Sequence, residues 1–353
     1  MNQPPLPECT PFARLPRAYG APLGRGRLRV EPEDFQVEEQ LAFEPDDDGE
    51  HLLLWVRKRE ANTEWAARRL AACAGVAVSA VGYAGLKDRH AVTWQWFSLP
   101  RPRDGVPDWS VLAADGIEVL EVHAHRRKLR RGALIGNRFR ILVRDLAPAP
   151  EALAERVAAI GARGVPNYFG EQRFGRDGGN LVQAHALFSG APVPRVSRHV
   201  RGLWLSAARS QLFNTVLAGR VAEDCWDRPL AGDRMQLDGC NSHFAVESVD
   251  EPLLARCARL DVHPTGPLWG EGAPPTQDTV LAREQAVAAA FPGWPEGLAA
   301  AGLVQERRAL RLPVFDLVAE IVDDGVRLTF ELPAGAYATA LLRELIEDWN
   351  TAS

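Results

Sequence analysis

No apolar run in this 353-residue chain approaches the ~20 residues needed to span a bilayer. The opening segment, MNQPPLPECTPFARLPRAYG, has no hydrophobic stretch that could serve as a signal peptide. Cysteine is sparse and scattered: Cys9, Cys73, Cys225, Cys240 and Cys257 are odd in number and form no Cys-x-x-Cys pair. That argues against a zinc site or a disulfide frame and for reduced thiols in the cytoplasm. There is no Gly-x-Gly-x-x-Gly loop after a strand, no P-loop, no Gly-x-Ser-x-Gly elbow and no His-Glu-x-x-His. These absences leave dinucleotide enzymes, P-loop NTPases, serine hydrolases and zincins without sequence support. Lysine is scarce, three against 38 arginines. Arginine suits bidentate phosphate contacts, although such a bias also follows from genome composition.

Charge is present but segregated. The net charge is −5, yet residues 31–50 carry ten acids and no Lys or Arg, whereas residues 122–144 carry eight Lys/Arg and no acid. An acidic chain with one concentrated basic stripe can still grip phosphates locally. Hydrophobic content of 46% and charged content of 25% are ordinary for a soluble globular protein. The length exceeds what one core usually serves, so two domains are expected.

The most informative stretch is GYAGLKDRHAVTWQWFS, residues 82–98. A Gly-Leu-Lys-Asp turn places Asp88 between Lys87 and Arg89. A strand follows in which Val92, Trp94 and Trp96 alternate with Thr93, Gln95 and Phe97. Flanking cations favour the charged form of a carboxylate, the form a nucleophile needs. By spacing alone, Asp88 reads first as a surface acid in a charged turn.

Elsewhere the pattern predicts strands over 24–60 with an acidic loop at Glu44–Glu50. A helix is expected over 63–74, capped by Thr63 and ended by Gly75. Strands are expected at 117–123 and 137–144, and a helix from about Pro150 with Leu153, Val157 and Ile160 on one face. Gly161–Pro166 looks like a boundary. Beyond it come a helix at 206–221 and a loop-rich tract at 263–297 with six Pro and five Gly. A hairpin at 314–332 should turn at Asp323-Asp324-Gly325, with Val326, Leu328, Phe330 and Leu332 inward, before a final helix over 336–347.

Six blocks in fixed order point further: EPEDFQVEE (31–39), the 82–98 stretch, HRRKLRRGALIGNRF (125–139), GVPNYFGEQRFG (164–175), LWLSAARSQLFN (203–214) and LPAGAYATALLRELI (332–346). Together they resemble the TruD family of tRNA pseudouridine synthases, over roughly residues 24 to 349. The resemblance implies an α+β fold with a mixed, mainly antiparallel sheet. It implies a discontinuous catalytic domain, 1–162 with 310–353, interrupted by an inserted α+β domain at 163–309. It also implies a cytoplasmic, cofactor-free isomerase acting on a flipped-out uridine 13 of tRNA, needing no metal, membrane or obligatory protein partner. Asp88 would be the nucleophile, attacking the anomeric carbon or enabling a glycal route; the sequence does not choose.

The resemblance assigns further residues. Arg29 stands where the family has a basic partner of the aspartate, often Lys. Phe35 and Glu39, and Asn137 and Phe139 in GNRF, each share a strand face and would bind or stack on the base. By pattern alone Phe35 and Phe139 are core aromatics and Glu39 a solvated acid. Tyr337 falls where the family commonly has Phe. Lys87, Arg126, Arg127, Lys128, Arg130 and Arg131 are the candidate RNA-backbone contacts, although such a run is also simply a solvated face. The interleaved Asn167, Tyr168, Phe169, Gln172, Arg173 and Phe174 either shape an RNA cleft or pack a domain junction. His90 reads as exposed or supporting.

Two rivals remain on sequence grounds. Asp46, Asp47, Asp48 and Glu50 could hold Mg²⁺ in a nuclease or phosphotransferase, though consecutive Asp residues cannot all face one ion on a strand. A non-catalytic tRNA-binding protein would need only the basic stripe and the aromatics.

Overall fold

Period-two burial builds the main sheet. In Phe35–Leu41 (β1), Phe35, Val37 and Glu39 are buried; in His51–Arg59 (β2), Leu52, Leu54, Val56 and Lys58 share a buried face. The strands that follow are Gly82–Tyr83 (β3), Val92–Pro100 (β4), Ile117–His125 (β5), Leu134–Arg144 (β6), Phe315–Val322 (β7) and Gly325–Pro333 (β8). The computed structural model describes residues 5–102 and 105–349. The eight strands form one sheet in the order β7-β8-β6-β1-β4-β2-β5, with β3 added beside β4. Only β1 and β4 run parallel; the other pairings are antiparallel. The fold class is α+β, as expected.

The chain divides into two compact units. One comprises Leu23–Val157, Val314–Gly335 and the described residues of Ile346–Ser353. It holds the eight-stranded sheet and helix Thr63–Ala74 (α1). Asn62 caps α1 by accepting from the Trp65 N–H at 2.8 Å, and Gly75 ends it in the left-handed region at φ 66°. The expected cap, Thr63, lies one residue inside the helix and uses its hydroxyl elsewhere. Ala66, Leu70 and Ala71 of α1 pack on Leu52, Leu54, Val56, Phe97 and Leu99 of the sheet. Each buried Leu contributes about 1.5–3 kcal/mol. At the C-terminal end Val326, Leu328, Phe330 and Leu332 are inward, at 0–1% exposure.

The other unit comprises the described residues of Met1–Pro22 together with Ala158–Pro313 and Ala336–Leu345. Helix Pro150–Arg163 (α2) contributes residues to both units. Helices Gly179–Phe188 (α3) and Arg198–Ala222 (α4) follow, the latter capped by Ser197. These unit bounds depart from 1–162, 163–309 and 310–353 at both chain ends, and a buried ion pair explains it. Arg343, 1% exposed, pairs with Glu344 at 2.8 Å and donates to the carbonyls of Phe12, Leu15 and Pro16. Glu344 accepts from the Ala18 N–H. The N-terminal segment is therefore the hydrogen-bonding wall of this charge.

Two other expectations are corrected. The Pro/Gly tract contains strand Val262–Leu268 and helices Asp278–Ala290 and Trp294–Ala300. That strand pairs along Val262–Pro264 with Arg234–Leu237 and along Thr265–Leu268 with Glu306–Ala309. The strand lies between these two, and the Pro264 carbonyl also accepts from the Leu310 N–H. The final helix is only Ala338–Leu342; Ile346–Trp349 is instead a strand parallel to Gly24–Gly26.

Candidate functional site

The segment between β3 and β4 carries Asp88, and a buried relay fixes its backbone. The Thr63 hydroxyl accepts from the Lys87 N–H at 2.8 Å and donates to Gln95 Oε1 at 2.9 Å. Gln95 Nε2 donates to the Gly85 carbonyl at 2.7 Å. Thr63 and Gln95 are 1% and 0% exposed, so these bonds are shielded from water. With Gly85–Lys87 held, adjacent side chains part company. Lys87 turns inward and donates to Glu39 Oε1 at 2.8 Å, both side chains being nearly buried; Glu39 Oε2 also accepts from the Trp96 N–H. Asp88 turns outward, its side chain 44% exposed.

The partner of Asp88 is Arg29, whose Nη2 donates to Asp88 Oδ2 at 2.6 Å. Neither chain neighbour takes that place: Lys87 is committed to Glu39, and Arg89 Nε donates to the Glu60 carbonyl. Arg29 is in the left-handed region at φ 55°, a conformation that costs a non-glycine residue about 1–3 kcal/mol. Its guanidinium lies 4.1 Å from the Phe35 ring centroid. Phe35 meets Phe139 edge-on at 6.3 Å, and Phe139 stacks on Phe330 at 5.1 Å and 15°. Register sets Glu39 opposite Asn137 and Val37 opposite Phe139, so Phe35, Glu39, Asn137 and Phe139 share one sheet face. Phe139 is 7% exposed, with one ring face covered by Phe330. Asn137 Oδ1 is buried without a hydrogen-bond partner among the described residues, an acceptor left for something else.

Sequence reasoning missed Lys58. It is 1% exposed and donates to the Ala61 carbonyl at 2.7 Å. Burial, reinforced by Lys87, pulls its ammonium down to about 7, against opposing pulls from Asp88 and Glu39. The signal was there: Lys58 continues the inward series Leu52, Leu54, Val56.

The candidate backbone-contacting cations separate. Lys87 is corrected outright, because its ammonium is buried against Glu39. Arg126, Arg127, Lys128, Arg130 and Arg131 are exposed in the loop joining β5 to β6. Arg126 donates its N–H to Asp46 and lies 3.4 Å from Asp48; Lys128 donates to the Ser79 carbonyl; Arg131 lies over Tyr83. Arg127 and Arg130 make no side-chain hydrogen bond or ion pair among the described residues, Arg127 acting on Asp46 only through its field. The loop is anchored by buried Leu129, whose N–H donates to Ser98 Oγ, and by Gly132 N–H to the Ala84 carbonyl. Gly82 permits that approach: a Cβ there would lie 2.3 Å from the Leu129 carbonyl oxygen.

The acidic loop engages β5 and the start of the basic loop. Asp46 lies 2.8 Å from His125 Nδ1, Asp47 3.3 Å from His123 Nδ1, and Asp48 faces Arg126. Among the described residues no three His, Cys, Asp or Glu side chains group so as to hold a metal. His90 is exposed. Tyr337 belongs to the other unit, where its hydroxyl accepts from Arg173 at 2.6 Å. All five cysteines are free, and no described helix is long and apolar enough to cross a membrane.

Comparison with known proteins bears on the same residues. A family model described as tRNA pseudouridine synthase D (TruD) matches residues 18–183 and 179–345. The chain is 52% identical to tRNA pseudouridine synthase D of Methylococcus capsulatus over 342 residues, covering 97% of this chain and 96% of that protein. It is 49% identical to the protein of the same name from Nitrosococcus oceani, covering 93% of each. A crystal structure of a protein assigned as tRNA pseudouridine synthase D from Methanosarcina mazei superposes with a TM-score of 0.72 at 22% identity, covering 94% of this chain and 96% of that one. That likeness bears on the fold.

Proposed function

The chain belongs to the TruD family of tRNA pseudouridine synthases, and on that premise we propose that it isomerises uridine 13 of tRNA with Asp88 as nucleophile. The observation that carries this reading is the Arg29–Asp88 pair: a carboxylate turned to solvent by a buried relay and met by a cation held in a strained backbone. The reaction breaks the N1–C1′ bond and forms C5–C1′, with a proton leaving C5 and one arriving at N1. It balances without oxidant, reductant or donor, so no cofactor is invoked. Asp88 attacks C1′ or promotes glycal formation, and the hydrogen bond from Arg29 orients it.

The uridine must leave its stack to reach Asp88. Phe35, Phe139, Glu39 and Asn137 form the face proposed to receive it. The orphaned Asn137 acceptor supports a hydrogen bond to the base, and Phe139 serves as the floor beneath it. Lys87 holds Glu39, while Arg127 and Arg130 are the loop cations left for phosphates. Leu23–Val157 with Val314–Gly335 is proposed as the catalytic domain and Ala158–Pro313 as the inserted one. Free thiols fit a cytoplasmic setting.

The test is purified protein on unmodified tRNA in EDTA, with pseudouridine mapped by carbodiimide labelling and primer extension. A stop at uridine 13 that disappears in Asp88→Ala is expected. Product at another uridine overturns the position. Tight binding without product in any tRNA overturns the enzyme reading.

A further inference from the structure

In the unit built on Ala158–Pro313 and Ala336–Leu345, Arg173 and Arg308 gather at one aromatic ring with no ion-paired acid among the described residues. Arg173 donates through Nη1 to Ser206 Oγ at 2.8 Å and through Nη2 to the Tyr337 hydroxyl at 2.6 Å. Arg308 donates through Nη2 to Asn167 Oδ1 at 2.6 Å, and its buried Nε has no partner among the described residues. Among the described residues neither arginine has a carboxylate within ion-pair distance. The nearby acid Glu306 is paired with Arg209. Elsewhere in the unit Arg163, Arg220, Arg283 and Arg307 hold carboxylates, and the buried Arg311 spends its donors on His263 and the Cys257 and Val262 carbonyls.

Both guanidinium groups rest on one ring, Arg308 at 4.4 Å and Arg173 at 5.2 Å from the Phe169 centroid. That ring is immobilised. The Phe169 N–H donates to Asn214 Oδ1, and its carbonyl accepts from Asn214 Nδ2, both at 2.9 Å. Asn167 is fixed in turn by donating to the Ala309 carbonyl. Burial, against an opposing pull from Tyr337 and helped by the neighbouring Arg173, lowers Arg308 to about 10, so Arg308 remains cationic at neutral pH. Two guanidinium groups gathered at one ring by neutral groups offer a tetrahedral oxyanion spare N–H donors with no internal counter-ion to displace.

We propose that Arg173 and Arg308, braced by Phe169, Asn167 and the Tyr337 hydroxyl, form a binding site for an RNA backbone phosphate. This deepens the proposed function and rests on it for the identity of the ligand. Tyr337 acquires a role different from base stacking: its hydroxyl aims Arg173.

The experiment measures unmodified tRNA binding against salt concentration for the wild type, Arg173→Gln and Arg308→Gln, with pseudouridine formation scored in parallel. Expected is a loss of roughly tenfold or more in affinity for each variant, and a log–log salt slope shallower by about 0.7–0.9 for each phosphate no longer held. Unchanged slope and affinity in folded variants overturn the proposal. If the wild type forms no pseudouridine while the slope still depends on these arginines, the functional reading fails and the phosphate site stands. Thermal melting in inorganic phosphate against chloride at equal ionic strength is the second arm. Arginine-dependent stabilisation there with an unchanged tRNA slope reassigns the site to a small phosphate ligand and overturns the RNA assignment. Should Arg308→Gln not fold by circular dichroism, Arg173→Gln, bridged only to two hydroxyls, gives the same decision.

Discussion

Asp88 and Lys87 are neighbours with opposite fates, and the difference is set by hydrogen bonds rather than by composition. Thr63 fixes the Lys87 N–H, Lys87 reaches Glu39, and Asp88 is left outward for Arg29. Replacing Asp88 with Asn keeps the shape and removes the charge. Turnover should fall ~10³-fold or more while tRNA affinity holds within about twofold; filter binding and single-turnover assays decide. Lys58 makes a second prediction. Its ammonium loses its proton near 7 in the folded protein, against an ordinary value of 10.5. Between those values the unfolded chain binds more protons, so stability rises with pH; below 7 the cost of the buried charge is present in full. Half-buried Cys9, its thiol pushed up to about 11 by desolvation, acts in the opposite sense at higher pH. The difference between wild type and Lys58→Met should therefore shrink by about 1 kcal/mol per pH unit from pH 7 to 9 in urea melts. A pH-independent difference would show that Lys58 does not titrate in this range. The burial of Phe35 was legible from its pattern, whereas Glu39, a solvated acid by pattern, is buried because Lys87 and the Trp96 N–H satisfy its carboxylate. The inward turn of Lys87 was not legible, because turns carry no period, and the left-handed backbone of Arg29 has no local signature.

At the scale of elements, the β5–β6 loop carries the exposed cations, and only Arg127 and Arg130 lack a hydrogen-bond, ion-pair or ring partner among the described residues. Reversing both to Glu should weaken tRNA binding and make its salt slope shallower by roughly 1.4–1.8; circular dichroism should be unchanged, since Leu129 and Gly132 do the anchoring. An identical slope would remove the loop from the interface. Sequence patterns located most elements because apolar period and caps are local. They missed where distant chain decides: Thr63 looked like a cap because Ser and Thr favour that role, yet its hydroxyl serves Lys87 and Gln95. The Pro/Gly tract read as loop because strand prolines are usually excluded, yet Pro264 and Pro267 lie within a paired strand.

At the scale of the molecule, Arg343 and Glu344 tie the N-terminal segment into the unit that holds Ala158–Pro313. Removing residues 1–22 strips carbonyl acceptors from a buried cation, a change in the class that costs about 3–5 kcal/mol. Hydrogen exchange should show protection lost across 158–313 and retained in 35–59 and 92–144. Uniform loss would mean that the two units do not unfold separately. The discontinuity of the main sheet unit was legible only through the resemblance of whole blocks, since no local pattern joins residue 144 to residue 325.

That last pairing has a consequence during synthesis. β8 lies directly against β6, from Arg144↔Gly325 to Gly136↔Pro333. On the ribosome, β6 is finished while its neighbour has not been translated, and at 5–20 residues per second the wait is ~10–40 s. For that interval the nascent chain exposes a long unpaired edge whose inner face is aromatic and aliphatic, the kind of template that recruits another strand. Chains stalled before Gly325 should therefore be insoluble or chaperone-bound, and slower codons between the two strands should cost yield without altering the finished protein.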